Sequence, residues 1–166
     1  MRIYLVRHGI AQERLGGGIT NDAQRPLTDE GRNETRMVAQ ALKKLGVKAD
    51  LVVTSPLVRA RQTAEIINEV IGGGPERMKV SDSLAPGGSA NFLFKFLKQL
   101  DAADEIFCVG HEPDIGRLAA TLMWAGPELD IPFKKAGVCR VDVSDLPPSM
   151  PGTLKWFITP KIASFI

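Results

Sequence analysis

The chain of 166 residues contains only two histidines, His8 and His111. Each follows an apolar run and stands beside a glycine, in Arg7-His8-Gly9 and Gly110-His111-Glu112. Between them, Ser55-Pro56 with Arg59 and Arg61 closes another apolar run. Imidazoles and guanidiniums gathered together suit an oxyanion with several equatorial oxygens, because they present N–H donors and the arginines add permanent charge. Phosphate is the first expectation. Two histidines without an Asp, Glu or Cys grouping at ligand spacing do not make a metal site. Gly16-Gly17-Gly18 lacks the Gly-Lys-Ser/Thr that completes a phosphate-cradling P-loop, so it reads as a flexible loop. Ser55 stands before Pro56 in a capping position and Cys108 lies inside a strand-like run, which leaves His8 as the best nucleophile.

The elements that must position these groups follow from apolar spacing. Arg2 to Val6 reads as a buried strand ending at His8, and Gln12 to Pro26 reads as a loop. Thr28 is placed to cap a helix with Asp29 and Glu30 in its first turn and Val38, Ala41, Leu42 and Leu45 on one face; Gly46 ends it. Leu51 to Thr54 is a second strand. Ser55 and Pro56 then serve as N-cap and first residue of a helix carrying Ala60, Thr63, Ala64, Ile67 and Ile71, closed at Gly72. The segment around Val80 is weakly specified. Leu93, Phe96, Leu97 and Leu100 mark a further helix, Ile106 to Val109 a strand, and Ile115, Leu118, Ala119 and Leu122 another helix. Val138 to Val143 and Leu154 to Ile158 read as a strand pair around the Pro147-Pro148 turn region. Strands alternating with amphipathic helices imply an α/β fold of three layers, a mostly parallel central sheet with helices on both faces. Ligands of such sheets bind at the carboxyl ends of the strands, where the three polar clusters fall.

Composition bounds the rest. At 166 residues, 44% hydrophobic and 24% charged, the chain is ordinary globular material and reads as one domain over 1–166. No apolar run approaches the roughly 18 residues needed to cross a bilayer, and Met1 to Val6 is too short for a signal peptide, so a cytoplasmic protein is expected. Cys108 and Cys139 are read as reduced and buried. A net charge of +2 without a basic stripe gives little support to nucleic-acid binding.

Leu5-Val6-Arg7-His8-Gly9 resembles the Arg-His-Gly signature of the histidine phosphatase superfamily, the phosphoglycerate mutase-like group. Ser55-Pro56-Leu57-Val58-Arg59-Ala60-Arg61-Gln62-Thr63-Ala64 is similar to that family's second motif, and Gly110-His111-Glu112-Pro113 to its third. Three motifs in order, each after an expected strand, are a specific signal. The small size and Arg25-Pro26-Leu27-Thr28 further resemble the SixA-like phosphohistidine phosphatase branch, which lacks a large cap insertion. The resemblance implies a hydrolase in which neutral His8 attacks phosphorus and forms a covalent phosphohistidine, while Arg7, Arg59 and His111 hold the equatorial oxygens. Helix periodicity does not separate Arg59 from Arg61, since both flank Ala60; the family position selects Arg59, with Arg61 on a solvated face. Arg25 is a further candidate phosphate binder. Asp82 and Glu112 are the candidates for a general acid, with Glu112 equally suited to helix entry. No cofactor is implied, and the expected partner is a phosphorylated protein such as a histidine-containing phosphotransfer domain. The competing readings are a broad small-molecule phosphatase or mutase, and a non-catalytic phosphate-binding module. Thr20 to Arg25 is expected to be mobile. Phe96 is expected in the core, with Phe92 and Phe94 partly exposed.

Overall fold

A computed structural model describes residues 1–13, 21–100, 103–125, 129 and 131–166. The triple glycine at 16–18 lies outside the described residues. Six strands form one sheet: β1 (Arg2–Arg7), β2 (Leu51–Thr54), β3 (Met78–Val80), β4 (Glu105–Gly110), β5 (Val138–Asp142) and β6 (Thr153–Ile158). Their spatial order is β3-β2-β4-β1-β5-β6. The first four strands in that order pair in parallel, whereas β5 and β6 add antiparallel as the expected hairpin.

Alternation along each strand builds two cores, one on either face of the sheet. Ile3 and Leu5 of β1 and Ile106 and Cys108 of β4 pack with α3 (Ala90–Lys98) and α4 (Asp114–Leu122). Tyr4 and Val6, with Phe107 and Val109, pack with α1 (Asp29–Lys44) and α2 (Val58–Val70). The result is the expected three-layer α/β/α arrangement, with strands buried on both faces and therefore continuously apolar. Cys108 and Cys139 flank Leu5 from β4 and β5 as free, buried thiols. Burial pushes both up to about 12, which removes them from nucleophilic chemistry.

Local signals explain most helix ends. Thr28 Oγ1 accepts the Gly31 N–H at 3.0 Å and caps α1, while Gly46, at φ +73°, terminates it. Leu45 is 51% exposed because it lies at the C-cap, beyond the last full turn. All four residues expected on the apolar face of α4 are buried.

The structure corrects several expectations. α2 begins at Val58, not after Ser55, and its N-cap Leu57 makes no side-chain capping bond. Within α3, Phe94 is only 2% exposed and Phe96 packs partly against the core, so the aromatic inside is Phe94, while Phe92 is 64% exposed. β3 is a three-residue edge strand, too short for a periodic signal. A terminal one-turn helix, α5 (Pro160–Ala163), starts from the Thr159 cap and Pro160.

Candidate active site

The register Arg7↔Gly110 between β1 and β4 brings His8 and His111 side by side as the next residues of adjacent parallel strands. Their ring centroids are 5.0 Å apart. The neighbouring strand β2 ends beside β4 and delivers Ser55 and the start of α2 to the same place. Three chain segments far apart in sequence thus meet at one sheet edge.

His8 is buried, and its Nδ1 lies 2.7 Å from the Gly9 carbonyl oxygen. A carbonyl only accepts, so Nδ1 carries the proton and the lone pair stands on Nε2. Arg59 Nε donates to that Nε2 at 3.3 Å. Burial holds the His8 pKa down to about 3; the Gly9 hydrogen bond opposes this, and His111, Arg59 and Arg7 reinforce it. Close packing explains Gly9: a Cβ there would stand 2.7 Å from Thr35 Oγ1 and 3.0 Å from the Gly31 carbonyl. The Gly9 N–H is received by Thr63 Oγ1 at 3.1 Å, and Thr63 in turn donates to the Arg59 carbonyl at 2.8 Å. The first turns of α2 therefore clamp the backbone that carries His8.

Arg59 is 4% exposed, whereas Arg61 faces solvent. Besides His8, Arg59 donates from Nη1 to the Asp22 carbonyl at 2.7 Å and from Nη2 to Asp22 Oδ2 at 3.0 Å. Asp22 Oδ1 is 3.0 Å from Arg25 Nε, and Arg25 Nη1 donates to the Gln12 carbonyl at 2.8 Å. One carboxylate thus bridges two arginines. The stretch from Asn21 to Arg25, expected to be mobile, is instead tied into the site by Asp22 and the 3₁₀ turn Asp22–Gln24. Arg7 donates to the Phe133 carbonyl, leaving its buried Nε without a hydrogen-bond partner among the described residues.

His111 is 4% exposed, with Nε2 2.8 Å from Ser55 Oγ and a buried Nδ1 that has no partner among the described residues. Its pKa falls to about 4, chiefly through burial and then Arg59, with Asp22 opposing. The two general-acid candidates sit differently. Asp82 is exposed on the 3₁₀ turn Asp82–Leu84. Glu112 is half-buried, and its carboxylate lies along α4, with Oε1 3.2 Å from where a Gly116 Cβ would be.

Sequence reasoning missed Asp22, Thr63 and the role of Ser55. The Asp22–Arg25 spacing was a weak local signal; the Thr63 and Ser55 contacts span more than fifty residues and had none. Among the described residues no cluster of His, Cys, Asp or Glu could hold a metal ion, and no helix is long and apolar enough to cross a membrane.

One cavity borders His111 and another borders Arg7. The first, of about 230 Å³, is walled by Leu84, Leu93, Ile115 and Leu118, with Asp114 and Arg117 among its other residues. The second, of about 590 Å³, carries Lys134, Lys135 and Lys161 with Glu34.

A sequence model of the histidine phosphatase superfamily (branch 1) matches residues 3–85. An uncharacterised Picosynechococcus protein is 39% identical over 141 residues, covering 83% of this chain and 82% of its own. Phosphohistidine phosphatase SixA of Escherichia coli K12 is 28% identical over 162 residues, 96% of this chain and 94% of SixA. A solved structure of the protein histidine phosphatase SixA complexed with tungstate superposes with a TM-score of 0.83 at 29% identity, covering 97% of this chain and 98% of that one.

Proposed function

The chain belongs to the histidine phosphatase superfamily, and on that premise we propose that it hydrolyses phosphohistidine on phosphorylated proteins through a covalent intermediate on His8. That it is a phosphatase follows from the family and from its similarity to SixA. The observation that carries the mechanism is the state of His8: neutral, with Nδ1–H donating to the Gly9 carbonyl and the Nε2 lone pair beside Arg59.

Nε2 forms a bond to phosphorus as the bond from phosphorus to the substrate imidazole nitrogen breaks. The departing ring, protonated on its other nitrogen, leaves as neutral imidazole. Water then attacks phosphorus, the bond to His8 breaks, and inorganic phosphate departs with His8 restored. Arg7 and Arg59 offset the charge of the equatorial oxygens, His111 donates a hydrogen bond to them, and Arg25, linked to Arg59 through Asp22, would add a further charge. A leaving imidazole already protonated on its other nitrogen needs no acid from the enzyme, so the step asks nothing of Asp82 or Glu112. The tungstate of the SixA relative is a tetrahedral oxyanion, consistent with a phosphoryl site.

The basic groove beside Arg7 supports a protein substrate, because exposed lysines at a rim steer an acidic surface toward the site. The single sheet with a core on each face supports reading residues 1–166 as one catalytic domain. The test is to incubate the enzyme with a phosphohistidine protein, quench at alkaline pH and map the phosphate. An alkali-stable, acid-labile phosphate on His8, with slower turnover of a sugar phosphate, is expected. Phosphate on another residue, or a large preference for the sugar phosphate, overturns the proposal.

A further inference from the structure

We infer that Ser55 is a positioning residue that sets the tautomer of His111, placing its single proton on Nδ1 so that this nitrogen is the donor to the phosphoryl group. The inference rests on the reading of His111 as a phosphoryl ligand and adds the residue that makes it one.

Ser55 is completely buried, and its Oγ has two contacts. It accepts the Leu57 N–H at 3.3 Å and lies 2.8 Å from His111 Nε2. A hydroxyl has one proton and two lone pairs, and a neutral imidazole has one N–H and one lone pair. His111 is neutral at pH 7, since its pKa lies near 4. Only two arrangements are therefore available.

In the first, His111 Nε2–H donates to Ser55. The serine proton then has no acceptor among the described residues, and the buried Nδ1 becomes a lone pair with no donor. In the second, the Ser55 hydroxyl donates to Nε2. Both serine contacts are then made in the correct sense, and the imidazole proton sits on Nδ1, the nitrogen without a protein partner. The second leaves one open group rather than two, and that group is a buried N–H awaiting an acceptor. Buried polar groups are seldom left unpaired, so the satisfied arrangement is preferred, and a phosphoryl oxygen completes it. The serine next to Pro56, locally a natural helix cap, is thereby diverted: α2 starts without a side-chain cap at Leu57 while Ser55 serves the histidine of a different strand.

The test uses the whole enzyme labelled with ¹⁵N histidine, whose two imidazoles are distinguished with His8→Ala. Two-bond ¹⁵N–¹H correlation at pH 7 is expected to show His111 protonated on Nδ1, and Ser55→Ala is expected to move it toward the Nε2-protonated pattern. Ser55→Ala should lower kcat by roughly 10- to 100-fold, by analogy with the loss of partners that orient metal-bound imidazoles, with KM little changed. In a His111→Ala background the same substitution should cost nothing further. A wild-type His111 protonated on Nε2 overturns the inference, as does an equal loss in both backgrounds. The wild-type spectrum needs no folded variant of Ser55 and no turnover, so it fails or succeeds independently of phosphate mapping on His8.

Discussion

β1 and β4 run side by side in register and each ends in a buried histidine, yet the two imidazoles are held by different kinds of partner. At the end of β1 the partner is the main-chain carbonyl of Gly9, which can only accept and so forces the lone pair of His8 onto Nε2. At the end of β4 the partner is a side-chain hydroxyl, which can donate or accept. The surroundings differ too. Arg7 opens the β1 end onto a groove with three exposed lysines, whereas the β4 end backs onto a cavity with Leu84, Leu93, Ile115 and Leu118 in its wall. Burial makes both imidazoles neutral; in the proposed mechanism the hydrogen-bond partner then decides which serves as nucleophile and which as donor. Low pKa alone does not assign a role.

Exchanging the histidines for alanine one at a time strains this contrast most. His8→Ala is expected to reduce turnover of phosphohistidine protein to background and abolish the phosphoenzyme. His111→Ala should retain slow turnover and a trappable phosphoenzyme, with kcat down about 10²- to 10³-fold as for loss of one oxyanion donor. Equal effects of the two substitutions would erase the distinction.

Acid should act on both ends in sequence. Because the folded pKa values lie below the ordinary 6.5, unfolded histidine binds protons that the folded protein does not, so stability falls as pH drops from about 6.5. The loss continues to about 4 for His111 and about 3 for His8, each histidine contributing at most about 1.4 kcal/mol per pH unit. Urea denaturation across that range checks the slope, which His111→Ala should reduce. Values of kcat/KM, which report the free enzyme, should stay flat on the His8 account down to about pH 5 and drop only as the pH approaches its pKa.

The smallest effect concerns the groove at the β1 end. Lys134→Glu combined with Lys135→Glu should lower kcat/KM on a phosphohistidine protein by a few-fold at low salt and flatten its salt dependence. Turnover of a small phosphoramidate should not change. A parallel loss on both substrates would remove the groove from partner recognition.

Much of the layout was legible because it is local. Continuous apolar runs announced β1, β2 and β4, and the polar residues just beyond them are the ones that converge. The face of α4 and the Thr28 cap followed from helical spacing. What escaped was either too short for a period, as with β3 and α5, or dependent on distant partners. Ser55 was misread as a cap because Ser-Pro before a helix satisfies that local rule; the competing bond to His111 spans 56 residues. Phe94 was expected outside but is buried, because the face of α3 that meets the sheet is set by packing.

Residue types and their order along the chain thus decided that two imidazoles and several guanidiniums would stand at strand ends. Sheet order, register and the folding of one loop decided which of them touch. The pairing of β4 with both β1 and β2 sets His111 beside His8 and within reach of Ser55, and the fold of the Asn21–Arg25 stretch lays one carboxylate across Arg25 and Arg59. A proton's place on an imidazole follows from such contacts, which form only once distant strands have paired.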